Sequence, residues 1–484
     1  MIRKEGVKVI EEKGEKRKNK NHIFSVFFIT SALFFLILAD IGVVSAVGML
    51  PKIDLIQNWS STGGNPQFKD NDQDLIYKVQ QGDVLNFSIT TTQPDLIYLW
   101  KVMKGSEVII TSTEEGIFTW TVPSENSTWE IEVEVTLKDE VGNIKGRDVL
   151  SWSITTSELK TVNPGESIQD AIDSLPKEGG IVELKEGNWT ISNTIILNKS
   201  GVTIRGAGKN KTILNSTITG YSSTIYVHLG DTPETTLYNI VIEDFHMIGT
   251  YIPGVERFAN GIYLRNVQNS IIQRTHIEKS GCRQIWLQFC RNIVITDGEF
   301  HESKQGIVIS HSNHNIIRNC RIGDTEMEGI DFNGYGIEPP SGLPNNHWDN
   351  LVVNCEIYNC GDAGVHLYSG GHYEIIRNND IHNCNVGVWI LLTRNNVIEG
   401  NKIHNNKQAG VLLTNPDKYG GNNIIRNNII YGTWDSNSGY GSGIILINWN
   451  QYVPRLRPPV LITSNTIYDN VRNGISISNS ADVI

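Results

Sequence analysis

Proline and basic residues are scarce in this chain of 484 residues, and long apolar runs are nearly absent. It has 15 prolines, and its 41 Lys and Arg are outnumbered by 52 Asp and Glu, for a formal net charge of −11. A general nucleic-acid binder needs a basic face, so that class is excluded. A mean hydropathy of −0.22 excludes a protein with many membrane spans. A hydrophobic content of 39% excludes a mostly disordered chain.

Cysteine is also scarce, and its distribution is uneven. All six cysteines lie between Cys282 and Cys384. Their intervals fit neither a small disulfide framework nor a metal site. Glycine and asparagine, in contrast, are abundant: there are 45 Gly and 49 Asn, and 34 of the Asn follow residue 250. With so little proline, this composition predicts many tight turns within a regular structure.

The N-terminal segment predicts export. Residues 1–22 contain eight Lys or Arg and four Glu, and an apolar run follows from Ile23 to Ala39. Val44-Ser45-Ala46 has the small residues of a cleavage site. We therefore expect residues 1–46 to be a cleaved signal peptide and the protein to be secreted or held at the cell surface. The alternative is an uncleaved anchor through residues 23–46, because the run is nearly long enough to cross a bilayer about 30 Å thick.

Residues 51–157 predict a separate β-sandwich. Short alternating runs recur, most clearly from Trp129 to Leu137, and about seven of them fit within this segment. The segment resembles the immunoglobulin-like or PKD-type modules of cell-surface proteins, although it contains no cysteine. We expect it to be a spacer; the alternative is an adhesive or glycan-binding module.

The remaining chain, residues 161–484, predicts a solenoid. Ser167 to Leu175 has apolar residues at helical spacing, and the run from Ser167 to Leu214 resembles the N-terminal cap of right-handed parallel β-helices of the pectin-lyase-like superfamily. A glycine, or once Gln284, precedes an alternating strand at a period of 22–23 residues, with three loop insertions. Three short strands in each coil make this an all-β fold, a right-handed parallel β-helix. These positions are Gly261, Gln284, Gly306, Gly329, Gly364, Gly387, Gly410, Gly443 and Gly474.

Aligned coils also explain the asparagines and most of the cysteines. The same position of the repeat is occupied in successive coils by Thr275, Gly298, Cys320, Cys355, Asn379, Asn401, Asn428 and Asn465. Stacked Asn side chains can satisfy the backbone groups of turns, so we expect a ladder in which the cysteines are buried thiols. Cys360 and Cys384 form another stacked pair, for which a disulfide is the alternative. The repeats are similar to those of NosD-type proteins, which implies copper binding, but five methionines and no Cys/His cluster in the sequence do not support it.

Function is expected on the outward face of the strand after each glycine. There, Tyr263 and Arg265, Trp286, Tyr368 and Trp389 accompany Asp331 and His366, which lie in adjacent coils about 5 Å apart. Flat aromatic rings beside polar groups suit sugar rings. We therefore predict polysaccharide binding, with these aromatic residues and Arg265 as the substrate-binding set. The candidate catalytic residues are Asp331, His366, His311 and Lys304.

Three chemistries fit that set. Hydrolysis needs a second carboxylate roughly 5 to 9.5 Å from Asp331, which Asp362, Glu328 or Glu338 could supply. Lyase or C5-epimerase chemistry would use His366 or His311 as the base, Lys304 and Arg265 as cationic groups, and acidic residues as ligands of Ca²⁺. The segment Glu328 to Asn333 resembles the alginate-epimerase signature, although that signature's Tyr and His are absent. His366 of the next coil is a replacement for the missing His.

The alternative to a polysaccharide-acting protein is a non-catalytic structural or adhesive envelope protein. A second outward stripe predicts surface packing, and it comprises Glu278, His301, Tyr358, His382, His404, Tyr431 and Tyr468. The sequence ends within a coil and shows no capping element, which predicts truncation or a cap from another copy. Glycosylation acceptors occur only at Asn58, Asn86, Asn126, Asn188, Asn198, Asn210 and Asn215, so glycans are expected on the sandwich and the cap.

Overall fold

The computed structural model divides the chain into two compact units, Met1–Thr156 and Ser157–Ile484. In the second unit it describes residues 157–256, 258–333, 349–368, 371–414, 421–436, 440–447 and 460–478, and in the first unit the strands and a few connecting residues between 56 and 156. The expected signal or anchor, residues 1–46, lies outside the described residues. Among the residues that are described, no helix is long and apolar enough to cross a membrane.

The first unit contains two β-sheets within its described residues. The three-stranded sheet has the antiparallel order β1 (Ile56–Ser61), β3 (Val84–Thr90), β6 (Ile117–Thr121). The five-stranded sheet has the order β2 (Ile76–Val79), β8 (Ile144–Thr156), β7 (Thr128–Lys138), β4 (Leu96–Lys104), β5 (Glu107–Ser112), and its β2–β8 pair is parallel.

Buried tryptophans join the two sheets of the first unit. Trp100 of β4 stacks on Phe118 of β6, with ring centroids 5.4 Å apart. Trp120 of β6 meets Trp129 of β7 edge to face at 5.5 Å. Because strictly alternating strands such as β7 bury every second side chain, the two sheets enclose one apolar layer. The β-sandwich predicted from the sequence is therefore present.

A short helix caps the second unit at its N-terminal end. Helix α1 (Ile168–Ser174) begins at Ser167, whose side chain accepts a hydrogen bond from the backbone N–H of Asp170. Ile168 and Ile172 are buried against the first coils. Lys199 Nζ donates to three carbonyls at the end of the helix, those of Ile172, Asp173 and Leu175, which satisfies acceptors that the helix itself leaves open. The helical cap predicted at residues 167–175 is observed.

The rest of the second unit is a right-handed parallel β-helix of three long sheets. The first sheet contains β9 (Leu159–Val162), β10 (Gly180–Leu184), β13 (Val202–Gly206), β16 (Leu237–Tyr238), β17 (Val241–Glu243), β20 (Val267–Gln273), β23 (Arg291–Thr296), β26 (Ile316–Arg318), β29 (Leu351–Val353), β32 (Ile375–Arg377), β35 (Val397–Glu399), β38 (Ile424–Arg426) and β41 (Leu461–Thr463). A 3₁₀ helix, Pro233–Thr235, precedes β16.

The second sheet contains β11 (Gly187–Ile191), β14 (Thr212–Ser216), β18 (His246–Ile248), β21 (His276–Glu278), β24 (Glu299–Ser303), β27 (Arg321–Thr325), β30 (Glu356–Cys360), β33 (Asp380–His382), β36 (Lys402–His404), β39 (Ile429–Tyr431) and β42 (Thr466–Tyr468). The third sheet contains β12 (Ile195–Leu197), β15 (Ser223–Val227), β19 (Asn260–Arg265), β22 (Arg283–Gln288), β25 (Gln305–Ser310), β28 (Ile330–Asn333), β31 (Ala363–Tyr368), β34 (Val386–Leu391), β37 (Ala409–Thr414), β40 (Ser442–Ile447) and β43 (Ile475–Ser478).

From Gly261 to Gly443, the repeating glycine of the third sheet is required by the close approach of neighbouring coils. A Cβ atom on Gly306 would lie 2.2 Å from the carbonyl oxygen of Gly329, and one on Gly387 would lie 2.4 Å from that of Gly410. Neither distance is compatible with a side chain. Inside the coils, stacked Ile, Val, Leu and Phe residues form one continuous core. The predicted repeat and fold class are thus confirmed, with a steric cause for the period.

The predicted asparagine ladder is also confirmed. The side-chain Oδ1 of Asn401, Asn428 and Asn465 each accepts two hydrogen bonds from the Asn one coil earlier, at 2.9 to 3.0 Å. The ladder starts where Asn379 Oδ1 accepts from the backbone N–H of Cys355. A second ladder, which was not predicted, joins Asn315, Asn350, Glu374, Asn396 and Asn423.

The six cysteines occupy buried positions in or beside these stacks and are all free thiols. No disulfide joins Cys360 and Cys384, so the alternative of a bridge between them is wrong. Burial raises the pKa of both Cys320 and Cys384 well above the ordinary thiol value, and the adjacent Cys355 and Cys360 raise it further. Neutral thiols packed in a core are poor nucleophiles and poor metal ligands.

Candidate functional site

One outward column of side chains runs along the third sheet. Parallel pairing places these residues in consecutive coils at a common register, with their neighbours in each strand pointing into the core. The outer column comprises Tyr226, Tyr263, Trp286, Val308, Asp331, His366 and Trp389. Aromatic, acidic and imidazole groups therefore lie in one line on the outer side of the third sheet, as the alternation of the sequence predicted.

Two carboxylates and an imidazole meet in this column. Asp331 of β28 pairs with His366 of β31, and the Asp331 Oδ1 and His366 Nδ1 atoms are 3.2 Å apart. Glu328, at the corner entering β28, places its Oε1 3.8 Å from the same Nδ1. One polar atom of each of the three residues lies within 4.8 Å of the other two. We call Glu328, Asp331 and His366 the acid–histidine cluster.

The acid–histidine cluster is buried, with Glu328, Asp331 and His366 only 5%, 3% and 7% exposed. Asp331 Oδ1 and both ring nitrogens of His366 find no hydrogen-bond partner among the described residues, because the short Asp331–His366 distance is not matched by bonding angles. Buried polar atoms normally have partners. Their lack of partners here marks a place where a hydroxyl group or a proton of a bound molecule could complete the site.

Burial also changes the acidity of the carboxyl groups. It raises the pKa of Glu328 above the ordinary value, and the negative charge of Asp331 raises it further, against the hydrogen bond that Gln305 Nε2 donates at 2.9 Å. The pKa of Asp362, on the turn before β31, is raised chiefly by burial as well. A raised pKa makes a carboxyl group easier to protonate, and a protonated carboxyl group can donate its proton to a leaving group.

Two rings flank His366. Its imidazole stacks on Tyr368 at 5.3 Å and tilts against Trp389 at 4.8 Å between ring centroids. Trp389 is held in turn by a 2.9 Å hydrogen bond from its Nε1 to Thr414 Oγ1. The predicted aromatic residues therefore form a wall on one side of the acid–histidine cluster.

Toward the N-terminal end of the same sheet, a second set of rings forms a groove of about 700 Å³. Tyr226 stacks on Tyr263 at 4.9 Å, and Tyr263 stacks on Trp286 at 4.2 Å. Across the groove, Tyr221 stacks on Phe258 at 4.1 Å, and Tyr221 is 85% exposed. The aromatic groove is defined by Tyr221, Tyr226, Phe258, Tyr263 and Trp286, with Arg283 and Lys304 on its walls.

The cations near the groove differ in their partners. Arg265 is bound by Asp231 through two contacts of 2.6 and 2.5 Å, which neutralises its charge and lowers the pKa of that aspartate. Arg283 instead lies over the Trp286 ring, with its guanidinium carbon 4.4 Å from the ring centroid. Within the described residues, neither Arg283 nor Lys304 forms an ion pair. They give the groove a positive wall in an otherwise acidic protein.

The structure separates the four candidate catalytic residues. Asp331 and His366 lie together, joined by Glu328. Lys304 lies in the aromatic groove instead. His311 follows β25 in a turn, with a φ of 47° and its ring 5.7 Å from that of Phe289.

Some residues of the groove were not predicted. Tyr226 belongs to a strand with no leading glycine, and Phe258 and Tyr221 lie on turns outside the repeat. The sequence does contain one usable signal, the aromatic residue at the fourth position of each of the three consecutive third-sheet strands β15, β19 and β22. Glu338, one of the candidates for a second carboxylate near Asp331, lies outside the described residues.

A cation could be shared by the acid–histidine cluster, given the short distances among its polar atoms. Ca²⁺, however, takes about six to eight oxygen ligands. The cluster offers two carboxylates and one imidazole, which suits proton transfer better than Ca²⁺ binding.

Fold and site together define a parallel β-helix with a polar cluster and an aromatic groove on one sheet. The family model described as "Right handed beta helix region" matches residues 179–338, 255–374, 299–455 and 343–484, which together are more than half of the chain. The chain therefore belongs to the right-handed β-helix family. A search of curated proteins finds no match.

Solved β-helices of low sequence identity resemble the chain. The Azotobacter vinelandii mannuronan C-5 epimerase AlgE4 A-module is 17% identical, with a TM-score of 0.47, and the match covers 66% of this chain and 96% of that one. A Yersinia enterocolitica family 28 exopolygalacturonase is 12% identical, with a TM-score of 0.48 and coverage of 83% and 94%. An alginate lyase from Paenibacillus sp. is 15% identical, with a TM-score of 0.41 and coverage of 66% and 99%.

Proposed function

We propose that the outward face of the third sheet binds an acidic polysaccharide and that the acid–histidine cluster cleaves it. The observation that carries the proposal is the column itself. A stack of flat rings leads, within about 10 Å along the coils, to two carboxylates and an imidazole. Of these groups, Asp331 Oδ1 and both ring nitrogens of His366 have no hydrogen-bond partner among the described residues. Flat rings bind the apolar faces of sugars, and sugar hydroxyl groups can hydrogen-bond to the polar atoms that have no partner.

The charge of the groove favours a polymer with carboxylate groups. Arg283 and Lys304 line the groove without an ion-pair partner among the described residues, although the chain as a whole carries a net charge of −11. Because the protein as a whole has a net negative charge, the positive charge of these two side chains attracts an anionic polysaccharide to the aromatic groove and not to the rest of the surface. Uronic-acid polysaccharides are the sugar polymers that carry such charges.

The cluster geometry favours hydrolysis among the three chemistries. Glu328, whose pKa is raised, is the proposed general acid, and Asp331 is the second carboxylate. Their closest oxygens lie within 4.8 Å of each other, near the shorter separation of about 5 to 5.5 Å found in enzymes that form a glycosyl-enzyme intermediate. The Nδ1 atom of His366 lies 3.2 Å from Asp331 and 3.8 Å from Glu328, close enough to exchange a proton with either acid during the reaction. Lyase or epimerase chemistry would instead use His366 as the base.

Two product measurements distinguish these chemistries. The full-length protein is incubated with uronic-acid and neutral polysaccharides. New reducing ends without new ultraviolet absorbance indicate hydrolysis, absorbance of an unsaturated product indicates a lyase, and altered sugar stereochemistry by NMR indicates an epimerase. We expect reducing ends from a uronic-acid polymer. No product and no binding with any polymer would favour a structural or adhesive envelope protein.

Binding is tested separately from catalysis. Replacing Trp286 by Ala removes one ring on which a sugar can stack and should weaken binding of uronic oligosaccharides about two- to tenfold, because a lost ring contact is worth roughly 0.5 to 1.5 kcal/mol. The matched control is Tyr431→Ala, which removes an outward ring of the second sheet. Trp286→Phe should retain most of the affinity. Equal losses in the Trp286→Ala and Tyr431→Ala variants would contradict a groove on the third sheet.

We further propose that this protein acts outside the cytoplasm. The basic segment 1–22 and the apolar run from Ile23 to Ala39 support export. The acceptor residues Asn188, Asn198 and Asn210 are all exposed, so glycans could be accommodated. Sequencing the N-terminus of the mature protein tests the proposal: a start near residue 47 supports a cleaved signal, an intact N-terminus in the membrane fraction supports an anchor, and an intact cytoplasmic protein refutes export.

A further inference from the structure

Three histidines from separate parts of the sequence meet on the outward face of the second sheet. Strands β18, β21 and β24 lie side by side there. His246 pairs with His276, and Glu278 pairs with His301 of the next coil. The sequence shows no Cys/His cluster, because these residues are 25 or more positions apart. The coil period brings the histidines together.

The polar atoms of this group are close. His276 Nε2 and His301 Nε2 are 2.7 Å apart, and His246 Nε2 is 3.4 Å from Glu278 Oε1. A ligand atom of Glu278 lies within 4.8 Å of those of His246 and His276, and one also lies within 4.8 Å of those of His301 and Glu302. Glu278 therefore lies between the three rings. We call His246, His276, His301 and Glu278 the histidine cluster.

The contact between His276 and His301 requires one proton between the two ring nitrogens. Two Nε2 atoms at 2.7 Å repel each other unless one carries a proton that the other accepts. A metal ion bound to both would take the place of that proton. With Zn–N bonds of about 2.0–2.1 Å in a tetrahedral site, ligand nitrogens lie about 3.3 Å apart, so a small separation of the rings would suffice.

His246 provides an independent sign of a ligand. Its Nε2 is buried yet makes no hydrogen bond to any described residue, while Glu278 remains just beyond good bonding geometry. Its ring stacks flat on that of His276, with 3.9 Å between centroids and 2° between planes. Rotation of one ring would turn this nitrogen toward the space that Glu278 and His276 share.

We propose that the histidine cluster binds one divalent transition-metal ion of the Zn²⁺ type, with His246, His276 and Glu278 as ligands and His301, whose Nε2 contacts that of His276, as the fourth. Imidazoles with one carboxylate suit such an ion, whereas Ca²⁺ prefers oxygen ligands alone. The ion would join three consecutive coils near the N-terminal half of the β-helix. This site lies on a different sheet from the acid–histidine cluster, and it does not depend on the proposed polysaccharide activity.

The same sheet contains a matched control. His382 and His404 also stack in successive coils, with 5.0 Å between ring centroids. Each has its own carboxylate: His382 Nε2 lies 3.3 Å from Glu356, and His404 Nε2 lies 2.8 Å from Asp380. With no shared acid and no contact between ring nitrogens, this pair should not bind the ion. Removing it changes the surface without removing the proposed site.

The test uses the full-length protein with its purification tag removed and after treatment with a chelator. Titration with ZnCl₂ in a calorimeter should show one saturable site, and titration with CaCl₂ should show none there. In the double variant His276→Ala/His301→Ala the Zn²⁺ affinity should fall at least tenfold, while His382→Ala/His404→Ala should bind as the unaltered protein does. Saturating Zn²⁺ should also raise the unfolding temperature of the unaltered protein and of the control variant.

Two results would overturn the proposal: no saturable Zn²⁺ binding, or equal affinity in both double variants. Far-UV circular dichroism checks that each variant is folded. If the His276/His301 variant is not, Glu278→Gln decides the question, because the amide keeps the size of the side chain but loses its charge. Undiminished Zn²⁺ affinity in folded Glu278→Gln would exclude Glu278 as the shared ligand and overturn the proposed site.

Discussion

Removing the side chain of Asn401 should destabilise the β-helix far more than removing an exposed asparagine. Asn401 is 1% exposed. Its Oδ1 accepts from the backbone N–H and Nδ2 of Asn379, and its Nδ2 donates to the Ile376 carbonyl and to Asn428 Oδ1. Asn401→Ala removes all four hydrogen bonds and leaves a buried N–H group of Asn379 without its acceptor.

The expected decrease in the free energy of unfolding follows from the loss of those four hydrogen bonds. A buried donor left unsatisfied costs about 1 to 3 kcal/mol, and each of the other bonds contributes about 0.5 to 1.5 kcal/mol net. Because the partners share one network, these values do not add fully. We expect Asn401→Ala to lower the free energy of unfolding by about 3 to 5 kcal/mol, which is large for a single substitution.

The assay combines urea unfolding, followed by circular dichroism, with hydrogen exchange of the native protein. Exchange is needed because stacked coils can open locally without global unfolding. Amides of the coils containing Asn379 and Asn401 should exchange faster in the variant. Exposed Asn193, outside the ladders, is the control, and Asn193→Ala should change stability by less than about 0.5 kcal/mol. A loss below about 1 kcal/mol in Asn401→Ala, with unchanged exchange, would refute the ladder as a stabilising element.

Three other predictions concern charge, thiols and packing. Because burial raises the folded-state pKa of Glu328, the unaltered protein should lose stability as the pH rises from the ordinary value of 4.5 through the folded value. Glu328→Gln should therefore gain stability relative to the unaltered protein over that range, and a pH-independent difference in unfolding temperature would contradict this. Cys360 and Cys384 should react with a thiol reagent only after unfolding, as a time course in denaturant would show. Gly306→Ala should destabilise the protein by more than about 2 kcal/mol in urea, whereas Gly220→Ala, with open space around it, should not.

The regular part of the fold could be predicted because the repeat is visible in the sequence. Gly306 and its equivalents mark a corner where a Cβ would collide with the next coil. Because this corner recurs once in each coil, the period of the coils appears in the sequence as a regular spacing of glycines. Consecutive asparagines have two separate causes. Asn378 and Asn427 adopt left-handed φ values of 54° and 56°, while the next residues, Asn379 and Asn428, form the ladder. The ladder was predicted from the sequence, but the left-handed turns were not.

The candidate site was only partly predictable, for a physical reason. Asp331 and His366 follow the repeat, so alignment of coils brought them together. The aromatic groove uses Tyr221 and Phe258, which lie on turns outside the repeat, and its shape depends on side-chain packing that spacing does not encode. The histidine cluster, in turn, spans three coils, and the stripe containing Glu278 and His301 was assigned to surface packing. Farther along that stripe, the rings of His404 and Tyr431 do stack, at 5.0 Å.

Product formation by the Asp331→Asn variant tests the central claim most directly. The substitution replaces the buried carboxylate by an amide of the same size, so the fold and the aromatic groove should be unchanged. We predict that the unaltered protein releases reducing ends from a uronic-acid polysaccharide, and that Asp331→Asn still binds that polymer with similar affinity but cleaves it at least a hundredfold more slowly. Cleavage at the same rate in the two proteins would contradict the claim.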